Sequence, residues 1–110
     1  MYSIRNVFFL FIILSPFLAY GNLESLSNDL SLKALKESES DIETAILLSQ
    51  QSVVADPKNA KAWAIAGKIY LLNKDLSSAE RFYAKAREID PFLKDVKDLE
   101  SLIDNEKKEE

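Results

Sequence analysis

The side chains closest to a catalytic arrangement are four carboxylates, at Glu37, Glu39, Asp41 and Glu43. Two carboxylates can drive the hydrolysis of a glycosidic bond, but that chemistry needs a cleft and one carboxyl group with a raised pKa. These four acids cluster between two apolar segments, where a solvated turn between helices offers neither. We therefore expect them to cap helices and keep the chain soluble, not to catalyse a reaction.

Several kinds of chemistry are excluded by composition. The 110 residues include no histidine and no cysteine, so zinc sites of the usual type, disulfides and Cys- or His-dependent catalysis have no side chains to build them. Two glycines are too few for a phosphate-binding loop. The net charge of −4 disfavours nucleic acid, whose binding depends on Lys and Arg. We expect no enzyme activity, no cofactor, no metal and no nucleic-acid partner.

Residues 1–21 have the layout of a secretory signal peptide. A short segment with Arg5 precedes an apolar run at residues 7–20, and small residues at Ala19 and Gly21 come before a polar Asn22. The apolar run is shorter than the ~20 residues that a helix needs to span a membrane. We expect cleavage after Gly21 and a secreted or periplasmic protein; a membrane-anchored form that keeps residues 1–21 is the alternative.

The remainder of the chain has a helical pattern with a fixed period. From residue 26 to residue 103, apolar residues recur at spacings of three and four, which predicts helices. Pro57 and Pro91 each follow an aspartate, and each pair is expected to end one helix and cap the next. A single shift along the chain superimposes Asp56 on Asp90, Asp41 on Asp75 and Ala45 on Ala79. This spacing of about 34 residues indicates repeated helix-turn-helix units. The pairs Ser40/Glu43 and Ser77/Glu80 are expected to form capping boxes.

Residues 60–93 carry aromatic and small residues at fixed positions of this period. These positions are Trp63, Gly67, Tyr70, Ala79, Tyr83, Ala86 and Pro91. On these residues the segment resembles a tetratricopeptide repeat (TPR). It departs from that family at Ala66, where the family prefers Leu, and at Tyr83, where it prefers Phe. The resemblance implies that Trp63 and the two tyrosines pack between helices.

The resemblance also implies an architecture. It is an all-α fold of about five helices, a TPR-type antiparallel helix-turn-helix array that forms a fragment of a right-handed superhelix. Residues 22–59 are expected to be a degenerate TPR-like helix pair, with Lys33 at the position of Gly67. Residues 94–106 are expected to be a C-terminal capping helix, and residues 107–110 a disordered tail.

The binding surface that the resemblance implies is the concave face of the array. Its residues on this chain are Lys61, Ala64, Lys68, Leu71 and Leu72, continued by Leu30, Ala34 and Glu37. The expected function is that of a small extracytoplasmic adaptor or assembly factor, which binds a protein or peptide with some acidic residues there. Three alternatives stay open. Leu71 and Leu72 pack on neighbouring helices, the chain is an anchored accessory subunit of an envelope complex, or it self-associates as a homo-oligomer.

Overall fold

The computed structural model describes residues 23–109, and this part of the chain contains five helices and no strand. The helices are α1 (23–37), α2 (Ile42–Ala55), α3 (Ala60–Leu72), α4 (Leu76–Ile89) and α5 (Lys94–Glu109). The predicted all-α class and the predicted number of helices are confirmed. The predicted signal peptide lies outside the described residues.

Helix α3 occupies the centre of the fold and packs against α2, α4 and α5. Turns of only three or four residues join successive helices, so each helix reverses the direction of the one before it. One face of α3 places Ile65 and Ile69 against apolar residues of α1 and α2. The opposite face packs on Leu99 and Ile103 of α5. A third cluster joins Ala62 and Ala66 to Val53 of α2, so three hydrophobic clusters meet on a single helix.

Aspartates, not the predicted serines, cap the second helix of each pair. The N-cap of α2 is Asp41, which accepts hydrogen bonds from the backbone N–H and the hydroxyl of Thr44 at 3.2 and 2.6 Å. Asp75 caps α4 in the same way, accepting from the backbone N–H and hydroxyl of Ser78 at 3.1 and 2.7 Å. The predictions of Ser40 and Ser77 as caps were wrong, because a nearby aspartate accepts two hydrogen bonds at the start of each helix.

The aspartates before the two prolines close helices; they do not open the next ones as predicted. Asp56 is the C-cap of α2, and its Oδ1 accepts from the backbone N–H of Lys58 at 3.2 Å. Asp90 is the C-cap of α4, and its Oδ1 accepts from the backbone N–H of Phe92 at 3.1 Å. The N-cap of α3 is Asn59. The same short-range bonds therefore recur at both turns, one period apart.

Helix α1 follows a shorter offset than the rest of the period. The buried residues of α1 precede those of α3 by one position less than a full period. They are Ser27, Ser31 and Ala34 in α1, which precede Ala60, Ala64 and Gly67 in α3, respectively. Helix α1 ends three positions after Ala34, whereas α3 ends five positions after Gly67, and the turn after α1 is longer by one. The net difference is one position. Ala34, fully buried, therefore corresponds to Gly67, whereas the uniform period had placed the exposed Lys33 there.

Gly67 lies where α3, α4 and α5 come closest together. A Cβ atom built at this position would lie 2.6 Å from Cδ2 of Leu99 and 3.4 Å from both the carbonyl oxygen of Ala79 and Cβ of Phe82. A separation of 2.6 Å is below any ordinary carbon–carbon contact. Glycine lets the three helices approach at this distance.

The last helix continues past the predicted boundary at residue 106. Helix α5 ends at Glu109, so residues 107–109, which we expected in a disordered tail, are helical. Lys107 Nζ lies 3.5 Å from Glu80 of α4, and Glu106 lies 3.9 Å from Lys74 in the turn before α4. These two exposed ion pairs connect the final turns of α5 to α4 and to the turn before it, and surface pairs of this kind contribute little to stability.

Candidate functional site

Three of the five residues predicted for the concave surface form an exposed stripe on α3. Lys61, Lys68 and Leu72 are exposed, and 54% of the surface of Leu72 is accessible to solvent. Residues seven apart return to the same side of a helix, so the two lysines lie about 10 Å apart along its axis. We call Lys61, Lys68 and Leu72 the α3 stripe.

The other two predicted surface residues lie in the core. Ala64 is 2% exposed and Leu71 is 9% exposed, and both belong to the cluster formed with Leu99 and Ile103 of α5. They are covered because α5 packs along the side of α3 that carries Gly67. Ala34, the predicted continuation on α1, is likewise fully buried. These residues position the surface and do not contribute to it.

The aromatic residues of the predicted repeat pack around one another. The ring of Phe82 lies 5.2 Å from that of Trp63 and 4.9 Å from that of Tyr70, both in tilted arrangements that aromatic pairs favour. The indole N–H of Trp63 donates to the carbonyl oxygen of Pro57 at 2.8 Å, and the hydroxyl of Tyr70 accepts from the side-chain amide of Gln50 at 2.7 Å. Their polar atoms are thus engaged within the fold.

The remaining predicted repeat positions lie on α4 and in the turn that follows it. Ala79 and Ala86 have no accessible surface, and both pack in the cluster with α5. Tyr83 donates its hydroxyl to Glu100 of α5. Burial raises the pKa of Tyr83, and the hydrogen bond to Glu100 adds to the shift. Pro91 is exposed in the turn after α4.

A groove of about 840 Å³ opens at the end of the array where α3 begins. Its walls come from the first turns of α1, from the turn between α2 and α3 and from the turn between α4 and α5. Its lining combines apolar residues with three acids and two lysines, among them Leu23, Pro57, Leu93, Glu24, Asp56, Asp90, Lys58 and Lys61. Lys61 belongs to both the groove and the α3 stripe, so the two features form one continuous surface. The sequence did not predict the groove, because its walls come from three segments that are distant in the chain.

The lysines of this surface are available for a partner. Within residues 23–109, neither Lys61 nor Lys68 lies within ion-pair distance of a carboxylate, whereas Lys74 and Lys107 are both paired with acids. The whole chain carries a net charge of −4, so two unpaired cations on one side of α3 stand out against an acidic background. Along the α3 stripe these two ammonium groups favour acidic side chains on a partner, whereas the groove itself carries three acids and two lysines.

Asp41, one of the acids at the α1–α2 turn, has the wrong electrostatics for a general acid. Hydrogen bonds from the hydroxyl and then the backbone N–H of Thr44 hold the pKa of Asp41 below its usual value. A general acid needs a raised pKa. Asp41 acts as a helix cap, and no group of three or more potential metal ligands occurs in the described part of the chain.

Comparisons with known proteins add no relative to this description. No family model, no curated protein and no solved structure matches the chain. The resemblance to TPR proteins therefore depends on the residues of this chain alone.

Among the helices between residues 23 and 109, none combines the length and the apolar character needed to cross a membrane.

Proposed function

We propose that this chain is a protein–protein interaction module, a small extracytoplasmic adaptor or assembly factor of the TPR type. It binds a partner protein along the α3 stripe, where the lysines take acidic residues, and in the adjoining groove, which takes apolar residues. The observation that carries this proposal is the pair of exposed, unpaired lysines followed by an exposed leucine on the central helix.

The recurrence of hydrogen bonds supports a repeat arrangement. The capping bonds of α2 recur in α4, and the closing turn of α2 recurs after α4, in both cases one period later. A period of about 34 residues is that of the tetratricopeptide repeat. Stacked repeats of this kind present an extended concave surface, which is their usual means of binding partners.

The chemistry of the surface supports an acidic and partly apolar partner. Two ammonium groups attract carboxylates, while Leu72 and the groove residues Leu23, Pro57 and Leu93 supply apolar contacts. Charges at the rim of an interface mainly set association rate and specificity, and apolar anchors contribute most of the affinity. We therefore expect a partner peptide with acidic residues on both sides of at least one large apolar residue.

Selection from a random peptide library displayed on phage, panned against the purified protein, tests this proposal. We expect the selected peptides to be enriched in Asp and Glu together with Leu, Phe or Trp. The double substitution Lys61→Glu with Lys68→Glu should weaken their binding, measured by fluorescence anisotropy, at least about tenfold, since it reverses the attraction at two positions.

The matched control is Lys33→Glu with Lys36→Glu. It changes the net charge by the same amount at two exposed lysines of α1, away from the α3 stripe, and should leave binding nearly unchanged. Equal losses in both double variants would mean that only net charge matters, which would contradict the assignment of the α3 stripe. Selected peptides without acidic residues, or peptides that bind the Lys61→Glu/Lys68→Glu variant as tightly as the unsubstituted protein, would also contradict the proposal.

The extracytoplasmic location is part of the proposal and depends on residues 1–21 acting as a signal peptide that is removed. If these residues instead remain as an anchor, the same surface would serve an accessory subunit held at a membrane. In both cases the binding residues are those of the α3 stripe.

A further inference from the structure

The two terminal helices are attached to the array by different side chains. Helix α5 buries Val96, Leu99 and Ile103, each with at most 4% of its surface exposed. The residues of α1 that are buried to this extent are Ser27, Ser31 and Ala34, which are small. Burial of apolar surface is the main stabilising term in packing, so α1 gains much less than α5 from its contact with the rest of the fold.

Serine hydroxyls hold the first half of α1. Ser27 Oγ donates to the carbonyl oxygen of Ser52 at 2.7 Å, and the hydroxyls of Ser31 and Ser52 share a hydrogen bond of 2.7 Å. The side-chain amide of Asn59 donates to Ser27 Oγ at 3.0 Å and to Asn28 Oδ1 at 2.8 Å. We call the contact among Ser27, Ser31 and Ser52 the serine seam. Water can replace each of these bonds when the helix moves away, so the seam costs little to open.

Two leucines of the same half of α1 point outward. Leu23 is 38% exposed and Leu26 is 47% exposed, whereas Leu30 is half-buried. The apolar attachment of α1 lies instead in its last turns, where Ala34 and Leu35 pack in the cluster with Ile65 and Ile69. The helix thus has a polar, weakly attached first half and an apolar, firmly attached end.

We propose that the first half of α1, residues 23–31, opens and closes against α2 while Ala34 and Leu35 stay anchored. This segment supplies Leu23, Glu24 and Asn28 to one wall of the groove. Opening removes that wall, and closing completes the groove, so the segment acts as a gate over the candidate binding surface. The gate is a property of the free protein and does not depend on which partner binds.

Amide hydrogen exchange of the purified protein, measured residue by residue by NMR, tests the gate. We expect amides of residues 27–31 to exchange at least about tenfold faster than those of residues 96–103 in α5, because a local opening exposes the former without global unfolding. Equal protection of the two segments would overturn the proposal.

A covalent lock provides a second test. The chain has no cysteine, so the double substitution Ser31→Cys with Ser52→Cys creates a single possible disulfide across the serine seam. In the oxidised protein, exchange at residues 27–31 should slow about tenfold or more, toward the rate of α5, while exchange in α5 stays the same. The reduced form of the same variant is the control and should exchange at least as fast as the unsubstituted protein, because thiols form weaker hydrogen bonds than the serine hydroxyls they replace. Unchanged exchange at residues 27–31 after oxidation would show that opening does not occur at the seam.

Discussion

Gly67 has only a hydrogen atom as its side chain, and this allows three helices to approach one another closely. A glycine inside a helix costs about 1 kcal/mol relative to alanine, so its presence in α3 predicted a close contact with another helix. The structure identifies the nearest atom of that contact as Cδ2 of Leu99, on α5. The sequence could not identify it, because Leu99 lies far from Gly67 in the chain and its helix was placed only by the assembled fold.

We expect Gly67→Ala to destabilise the protein by about 1–2 kcal/mol, since overpacking against the buried Leu99 outweighs the gain in helix propensity. Leu99→Val removes the carbon atom that the new methyl group would meet. In the Leu99→Val background, Gly67→Ala should therefore become neutral or stabilising. Urea denaturation of the four proteins in a double-mutant cycle measures this coupling, and additive effects of the two substitutions would contradict the assigned contact.

Ala64 and Leu71 illustrate which site residues the sequence could not separate. All five predicted surface residues fall on one broad side of α3. The spacing of residues along one helix shows which of them share a side, but it does not show which part of that side another helix covers. In the fold, α5 covers the part with Ala64 and Leu71, and Lys61, Lys68 and Leu72 remain exposed. That α3 would present exposed residues was predictable, whereas the width of the exposed stripe depended on the packing of α5.

Among the elements, α2 and α4 begin with the same arrangement, which the sequence predicted only in part. Asp41 and Asp75 were known to lie one period apart, but Ser40 and Ser77 matched the capping-box pattern better. The apolar residues that follow the aspartates decide the outcome. Ile42 and Leu76 are the first residues of α2 and α4, and both pack against the core clusters, which favours a helix that starts there with the preceding aspartate as its cap.

These two caps make the stability of the fold depend on pH. Hydrogen bonds from Thr44 and Ser78 lower the pKa values of Asp41 and Asp75 in the folded state, so below the ordinary value of about 3.8 the unfolded chain binds more protons. Their stabilisation is present above that pH and is lost as the pH falls through the lowered folded-state values. We expect the urea midpoint to decline less between pH 5 and about pH 3 in Asp41→Asn/Asp75→Asn than in the unsubstituted protein.

A double substitution of exposed acids outside the caps, Glu39→Gln with Glu109→Gln, controls for the loss of two negative charges. It should retain the pH dependence of the unsubstituted protein. If the two double variants had the same pH profile, the caps would not be the source of the effect.

On the scale of the whole molecule, both terminal helices of the described array carry polar outer faces. Exposed polar residues of α5 include Lys97, Asp98, Ser101, Asp104 and Asn105, and those of α1 include Ser25, Asp29, Lys33 and Lys36. The exposed leucines of these two helices are Leu102 on α5 and Leu23, Leu26 and Leu32 on α1. The exposed Leu26 and Leu32 of α1 lie on opposite sides of its polar stripe, so they do not join into one patch. Polar outer faces at terminal helices keep a helical array soluble and stop other units from stacking on it. These polar faces disfavour self-association, one of the alternatives that the sequence left open.

We expect the purified protein to be monomeric in light scattering from about 10 µM to 1 mM, because neither end offers a continuous apolar face. The substitutions Lys97→Leu and Asp104→Leu place two apolar side chains seven positions apart on the exposed side of α5. This double variant serves as the positive control and should show a mass that rises with concentration. A dimer of the unsubstituted protein in the same range would contradict the expectation.

The turns that contain Pro57 and Pro91 have a consequence for how such a chain can change over time. Each turn is completed by a hydrogen bond that an aspartate accepts from the residue two positions later, so both turns share the same local closing bond. A stretch of the gene that runs from the codon of one proline to the codon before the next therefore begins and ends at equivalent junctions. An in-frame duplication of that stretch would add one helix pair without any new type of turn, and the gene could lengthen the array in a single step.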